Sequence, residues 1–383
     1  MQKKKPPMLP VLLSFVSMLV LGAAFGFLLA MQVDSLSAEL PASAPLWLML
    51  LMLLALYAAI YLQTILHEAG HLIFGLMTGY RFVSFRIGSA MLLRTPDGLK
   101  LCRYRLAGTG GQCLMSPPGE LGKDMPCMLY NLGGVLVNLL CAVLFGMAYL
   151  CWRNVPLLSV FLLFSALYAL FSALINGIPM RGILNNDGRN ALDLRRDDAA
   201  RRSMWIQLSV NARLAQGQTV LDMPEDWFAM PSDEGMRNSL IAPLGTFHSD
   251  YLMAQGNFAE AAELQDALLH GDNALVDLYR TILTSERIYC GLMTGIDPEQ
   301  LKALRTPVWK KRAAALQNQP SIIRTNYACA LLLDRDQAAA DKVLVRFERL
   351  VRSYPYPAEI ETERRYMALA RQLAEAQSTS VTA

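Results

Sequence analysis

The chain has 383 residues, of which 54% are hydrophobic and only 17% charged, a balance too apolar for an ordinary soluble protein of this size. Its formal net charge of +3 includes no basic stripe interleaved with aromatics, so nucleic acid is not an expected partner. The seven cysteines, at 102, 113, 127, 141, 151, 290 and 329, form no CxxC pair and no regular spacing, so neither a disulfide framework nor a cysteine zinc site is expected.

Long uncharged runs fill the first half, and mixed helical sequence follows residue 190. The chain therefore divides into an anchor and outer loop over 1–44, a membrane core over 45–190 and a soluble helical region over 191–383. A spanning helix needs about 20 apolar residues. Four segments qualify: Leu9–Met31, Leu46–Met77, Met125–Cys151 and Leu157–Ile178. The first follows Lys3, Lys4 and Lys5, but its apolar run outlasts the core of a signal peptide, so it reads as a retained anchor. The loop Val33–Pro45 has no Lys or Arg, whereas basic residues crowd the loop after the second span and follow the fourth. The expectation is an integral protein of a bacterial plasma membrane, with four spans in the lipid bilayer and both termini cytoplasmic.

Within the second span, Leu66-His67-Glu68-Ala69-Gly70-His71-Leu72 is an HExxH motif in an otherwise apolar helix. Residues i and i+4 share a helix face, so His67 and His71 can both turn a ring nitrogen toward one Zn²⁺, with Glu68 beside the open position as general base. The bland reading, two histidines capping carbonyls at a helix end, buries ionisable groups in a membrane without partners.

Beyond this span, Arg81–Gly88, Met91–Thr95 and Leu99–Arg105 read as short strands, the last two joined by a Pro96-Asp97-Gly98 turn, and Gly108–Gly111 as a flexible loop. The strands either hold an extended peptide by strand addition or only cover the mouth of the site. In the third span Asn138 is either a site residue or an interhelical hydrogen-bond partner. Past the fourth span, Pro179 and Gly182 break the helix where a carboxylate can swing back toward HEAGH. Two histidines leave a catalytic zinc one protein ligand short, and Asp187 is the acid placed to supply it. Its alternative role is the N-cap of a helix opening at Gly188.

HEAGH at 67–71, Gly133-Gly134-Val135-Leu136-Val137-Asn138, and the Asn176, Pro179, Asp187-Gly188 set together resemble the site-2 protease family of intramembrane metalloproteases, peptidase family M50. The resemblance covers residues 45 to 190. It implies that His67, His71 and Asp187 are the ligands of one zinc ion, that Glu68 is the base, and that Asn138 helps to hold substrate. Asn176 and Asp187 stand eleven residues apart, longer than the family's usual spacing, and Gly134-Val135 replaces its Gly-Pro.

From Ala191 the sequence is helical and soluble. Tyr251–Leu269 resembles a tetratricopeptide-type hairpin with its turn at Gly256-Asn257, and further helices are expected at 273–293, 308–317, 322–334, 336–353 and 357–376. They form either a short repeat array or a generic bundle. His248 and His270 lack an i+4 partner and read as surface residues; Gln377–Ala383 reads as a frayed polar tail.

The fold class expected is therefore mainly α: a polytopic helical membrane core with a small β-hairpin insertion, then a soluble repeat-like helical domain. The function expected is a zinc-dependent intramembrane endopeptidase acting on membrane-associated protein substrates near the cytoplasmic face, with a further peptide or protein partner on the helical domain. The competing class is an inactive zinc-site scaffold that recruits partners. An intact Glu68 argues against it, because a structural zinc has no use for a base. A zinc transporter would need polar residues in several spans, and the first offers only Ser14 and Ser17.

Overall fold

A computed structural model of the chain describes residues 44–105, 109–121, 123–180 and 185–382, with nine further helical residues between 16 and 31. The expected first span therefore lies for the most part outside the described residues, as do Gly182 and Ala383. The described chain is mainly helical, with one small antiparallel sheet. Three of its helices are long and apolar enough to cross a membrane: α1 (Ala44–Met77), α2 (Cys127–Trp152) and α3 (Pro156–Gly177). It divides into two compact units, one of Met1–Tyr80 with Pro126–Arg196, the other of Arg81–Met125 with Asp197–Ala383.

In the first unit, α1 is rich in Leu, Ala and Met and has no Gly before Gly70, so nothing interrupts its 34 residues. Its Leu48, Met52 and Ala59 pack on Val160 and Phe164 of α3, while Leu50, Leu54, Leu140 and Met147 face outward. Apolar groups on the outside suit a hydrocarbon solvent. Helices α1 and α2 cross backbone against backbone: a Cβ on Gly133 would lie 2.5 Å from the Gly70 carbonyl oxygen, and one on Gly70 would strike Gly133. A short helix, α4 (Asp187–Arg196), follows α3.

The second unit opens with a four-stranded sheet in place of a lone hairpin: β1 (Arg81–Ile87), β2 (Ala90–Thr95), β3 (Gly98–Arg103) and β4 (Gly111–Ser116), in the order β3-β2-β1-β4. The three strands expected are present. No strand was expected past the Gly108–Gly111 loop, where the fourth begins at Gly111 and carries only a short alternation. Arg86, fully buried, ties this edge down: Nη1 donates to the Gly88 carbonyl at 2.7 Å and Nη2 to Thr109 Oγ1 at 2.5 Å. The sheet rests on α5 (Asp198–Ala215), whose Trp205 Nε1 donates to the Pro118 carbonyl at 3.1 Å.

The remaining helices are α6 (Asp233–Met236), α7 (Pro243–Gln255), α8 (Phe258–His270), α9 (Asp277–Met293), α10 (Pro298–Leu304), α11 (Pro307–Ala315), α12 (Pro320–Ala328), α13 (Gln337–Val351) and α14 (Pro357–Thr382). Gly256, at φ 87°, ends α7 in the left-handed conformation and turns the chain into α8, as the hairpin reading requires. The expected frayed tail is instead helical through Thr382, with Ser378 and Thr379 hydroxyls bonded back to the Ala374 and Glu375 carbonyls. His248 is half-buried, its Nδ1 2.6 Å from the Phe228 carbonyl, and His270 is exposed.

The core of this unit also buries a charged cluster around Arg324. Arg324 lies 2.5 Å from Glu286 Oε2 and 2.8 Å from Glu363 Oε2, with its guanidinium 4.1 Å above the Tyr289 ring.

Candidate metal centre

All five residues singled out in the sequence belong to the first unit. His67, Glu68 and His71 lie on α1, Asn138 on α2 and Asp187 at the first position of α4. Gly134 lets the histidines approach α2, since a Cβ there would sit 2.5 Å from His67 Cε1. The glycines around the motif thus set the helix spacing that the ring needs.

Asp187 is positioned by a residue the sequence reading passed over. The Asn186 side chain is the N-cap of α4, its Oδ1 accepting from Arg189 N at 3.0 Å and from Met180 N at 3.1 Å. Its Nδ2 donates to the carbonyls of Ile175 and Ile178 at 2.5 and 2.6 Å, two groups that the break at Pro179 leaves without helical partners. One amide therefore satisfies the end of α3 and starts α4. Gly188 completes the joint, because a Cβ there would strike the Gly177 carbonyl oxygen. Asn immediately before Asp-Gly at a helix start was the available signal. The N-cap role considered for Asp187 falls to Asn186, leaving the Asp187 carboxylate to point at the histidines.

The ligand atoms converge. His67 Nε2 and His71 Nε2 are 3.2 Å apart, and Asp187 Oδ2 lies 3.2 Å from the first and 3.5 Å from the second. A tetrahedral zinc site with bonds of about 2.1 Å has ligand-to-ligand edges of about 3.4 Å. Asp187 Oδ2 is buried and, although close to both rings, in hydrogen-bond geometry with neither. Among the described residues no other group of three His, Cys, Asp or Glu side chains converges in this way.

The outer nitrogens of the rings are also held. His71 Nδ1 is 2.8 Å from the Tyr130 carbonyl, which can only accept, so Nδ1 carries the proton and Nε2 presents its lone pair. His67 Nδ1 is 3.2 Å from the Asn138 amide. The structure thus sets Asn138 behind the His67 ring. A half-turn of this amide exchanges its oxygen and nitrogen, and with Oδ1 facing the ring it fixes His67 in the same tautomer. A backbone carbonyl such as that of Tyr130 leaves no trace in sequence. Glu68 is half-buried on the turn that carries both histidines. Comparison with known proteins found no family model, no curated protein and no solved structure that matches this chain.

Proposed function

We propose that the chain is a zinc-dependent intramembrane endopeptidase of the site-2 protease type. The observation that carries this reading is the triangle of His67 Nε2, His71 Nε2 and Asp187 Oδ2, with edges of 3.2, 3.2 and 3.5 Å, on helices apolar enough to lie in a bilayer. These three residues would hold the zinc ion. When bound, Zn²⁺ lowers the pKa of a coordinated water toward 7 and polarises a carbonyl.

The chain's own residues do the rest. Glu68 takes the proton of the attacking water and returns it to the departing amine nitrogen, so the net reaction adds one water across a peptide bond. Asn138 and the Tyr130 carbonyl hold the rings in the ligating tautomer. The apolar walls of α1, α2 and α3 keep bulk water away, which strengthens each electrostatic contact inside. In this reading the first apolar segment is a fourth span, and both termini are cytoplasmic. The helices from α7 to α14 form a repeat-like surface that recruits substrates. A photo-crosslinker on α9 of a Glu68→Gln chain should then capture the substrates that the parent cleaves, and its failure to do so would remove that role.

The test of the reaction is Glu68→Gln. The variant should keep one zinc per chain while cleavage of a synthetic single-span peptide falls by about 10²–10⁴-fold, the usual contribution of a positioned base. Equal turnover by variant and parent would sink the mechanism. Retained zinc with no turnover by either would favour the scaffold.

A further inference from the structure

Polar side chains in the three membrane helices mostly bond their own backbone. Thr64 Oγ1 donates to the Ile60 carbonyl at 2.8 Å, Asn131 Nδ2 to the Cys127 carbonyl at 2.7 Å, and Asn176 Nδ2 to the Ser172 carbonyl at 3.0 Å. Gln63 departs from this pattern. It lies on α1 one turn before His67 and is 0% exposed, yet neither its Nε2 nor its Oε1 has a hydrogen-bond partner. The Asn138 amide, also 0% exposed, uses one atom on His67 and leaves the other over. Ser165 of α3 is a third fully buried side chain whose hydroxyl has no partner. An unmet amide away from water is costly, and Gln63 could have bonded Ala59 as Thr64 bonds Ile60.

We infer that Gln63 is a docking group for the backbone of the substrate, one helical turn from the metal ligands. The inference rests on the peptidase reading. A transmembrane substrate must unwind to present a carbonyl, and each unwound residue strands one N–H and one C=O in a medium without water. A primary amide carries one donor side and one acceptor side, the same pair that a peptide unit exposes, so Gln63 can satisfy both groups of one residue whatever its side chain. Its place on α1, about 6 Å along the axis from His67, corresponds to about two residues of extended chain from the scissile bond. The ligand class is an extended peptide backbone recognised without regard to side chains. Gln63 is 0% exposed, and Ala59, one turn before it on α1, packs on Val160 and Phe164 of α3, so engagement requires the helices around the amide to part.

The test is Gln63→Met, an apolar replacement of similar length, in the full chain reconstituted in vesicles. Zinc content should be unchanged, and the thermal midpoint unchanged or higher, because the substitution removes an unmet polar group. Affinity of a fluorescent single-span peptide for the Glu68→Gln chain should fall about tenfold when Gln63→Met is added, and kcat/KM for its cleavage by the otherwise intact chain should fall equally. An ester in place of the matching backbone amide should cost the parent the same factor and the Met variant nothing more. A lower midpoint, or failure to accumulate folded chain, would make Gln63 a structural residue and overturn the inference; so would equal binding by both proteins. Cleavage that survives Glu68→Gln would instead overturn the peptidase reading, while the binding measurement still judges Gln63.

Discussion

Both units bury charged or amide groups, and Arg324 in one and Gln63 in the other are treated in opposite ways. In the second unit Arg324 is held by two carboxylates and an aromatic face, so its charge is answered within the fold. In the first, Asp187 Oδ2 and both amide atoms of Gln63 are buried with no hydrogen bond. Satisfied buried groups specify a fold, whereas unsatisfied ones hold interaction energy in reserve for something that arrives later.

The largest expected effect concerns metal. Asp187→Ala should weaken zinc retention by more than about a hundredfold, beyond what losing an outer hydrogen-bond partner costs, and dialysis against graded chelator measures it. Without metal the same variant should melt no lower than the parent; a large drop would show that Asp187 is structural, like Arg324. Arg324→Met sharpens the other side. It strands Glu286 and Glu363 and should destabilise the chain by about 3–5 kcal/mol in denaturant titration, with zinc content per folded chain unchanged. Asn186→Ala lies between the two, since it removes a cap and two carbonyl partners. We expect about 1–2 kcal/mol of lost stability together with about 10–100-fold weaker zinc retention, because the joint that aims Asp187 loosens.

The smallest effect is a pH slope. Glu359 is half-buried, near the carboxylates of Glu363 and Glu286, with Asp250 and Arg324 in the same cluster and the Tyr354 hydroxyl donating to its Oε2 at 2.8 Å. Burial pushes its carboxyl from 4.5 up to about 7 against the pull of that hydrogen bond. A folded-state value above the unfolded one means that the native chain binds more protons between them. The contribution to stability is therefore complete below about 4.5 and is lost as pH rises through about 7. Melting points across this window should fall less steeply for Glu359→Gln than for the parent; identical slopes would remove Glu359 as the titrating group.

The first unit was the more legible in sequence. HEAGH carries its geometry in its spacing, and a carboxylate after a Pro-Gly break has few other places to go, so His67, His71 and Asp187 could be brought together before any coordinates. Asn186 was not read because its work is the satisfaction of carbonyls whose orphaning shows only once the end of α3 is known. Asn138 was legible as a site residue, but its contact with the outer nitrogen of His67 depends on the crossing of α1 and α2, which Gly70 and Gly133 set. In the second unit α7 to α9 and α11 to α14 followed from periodicity and turns, whereas the seven-residue α10 was not expected. The fourth strand did not follow, since β4 pairs with β1 across 24 to 35 residues of chain and short alternation cannot announce a partner that far away.

The ligand set is split along the chain, with His71 and Asp187 separated by 116 residues and two membrane helices. At about 5–20 residues per second of synthesis, Asp187 emerges roughly ten seconds after the histidines. Throughout that interval the nascent chain has two ligands and no third. On the proposed reading, hydrolytic competence therefore waits until α3 has inserted and α4 has docked, so the insertion machinery would handle a harmless precursor, and a chain truncated anywhere before Asp187 would be born inert.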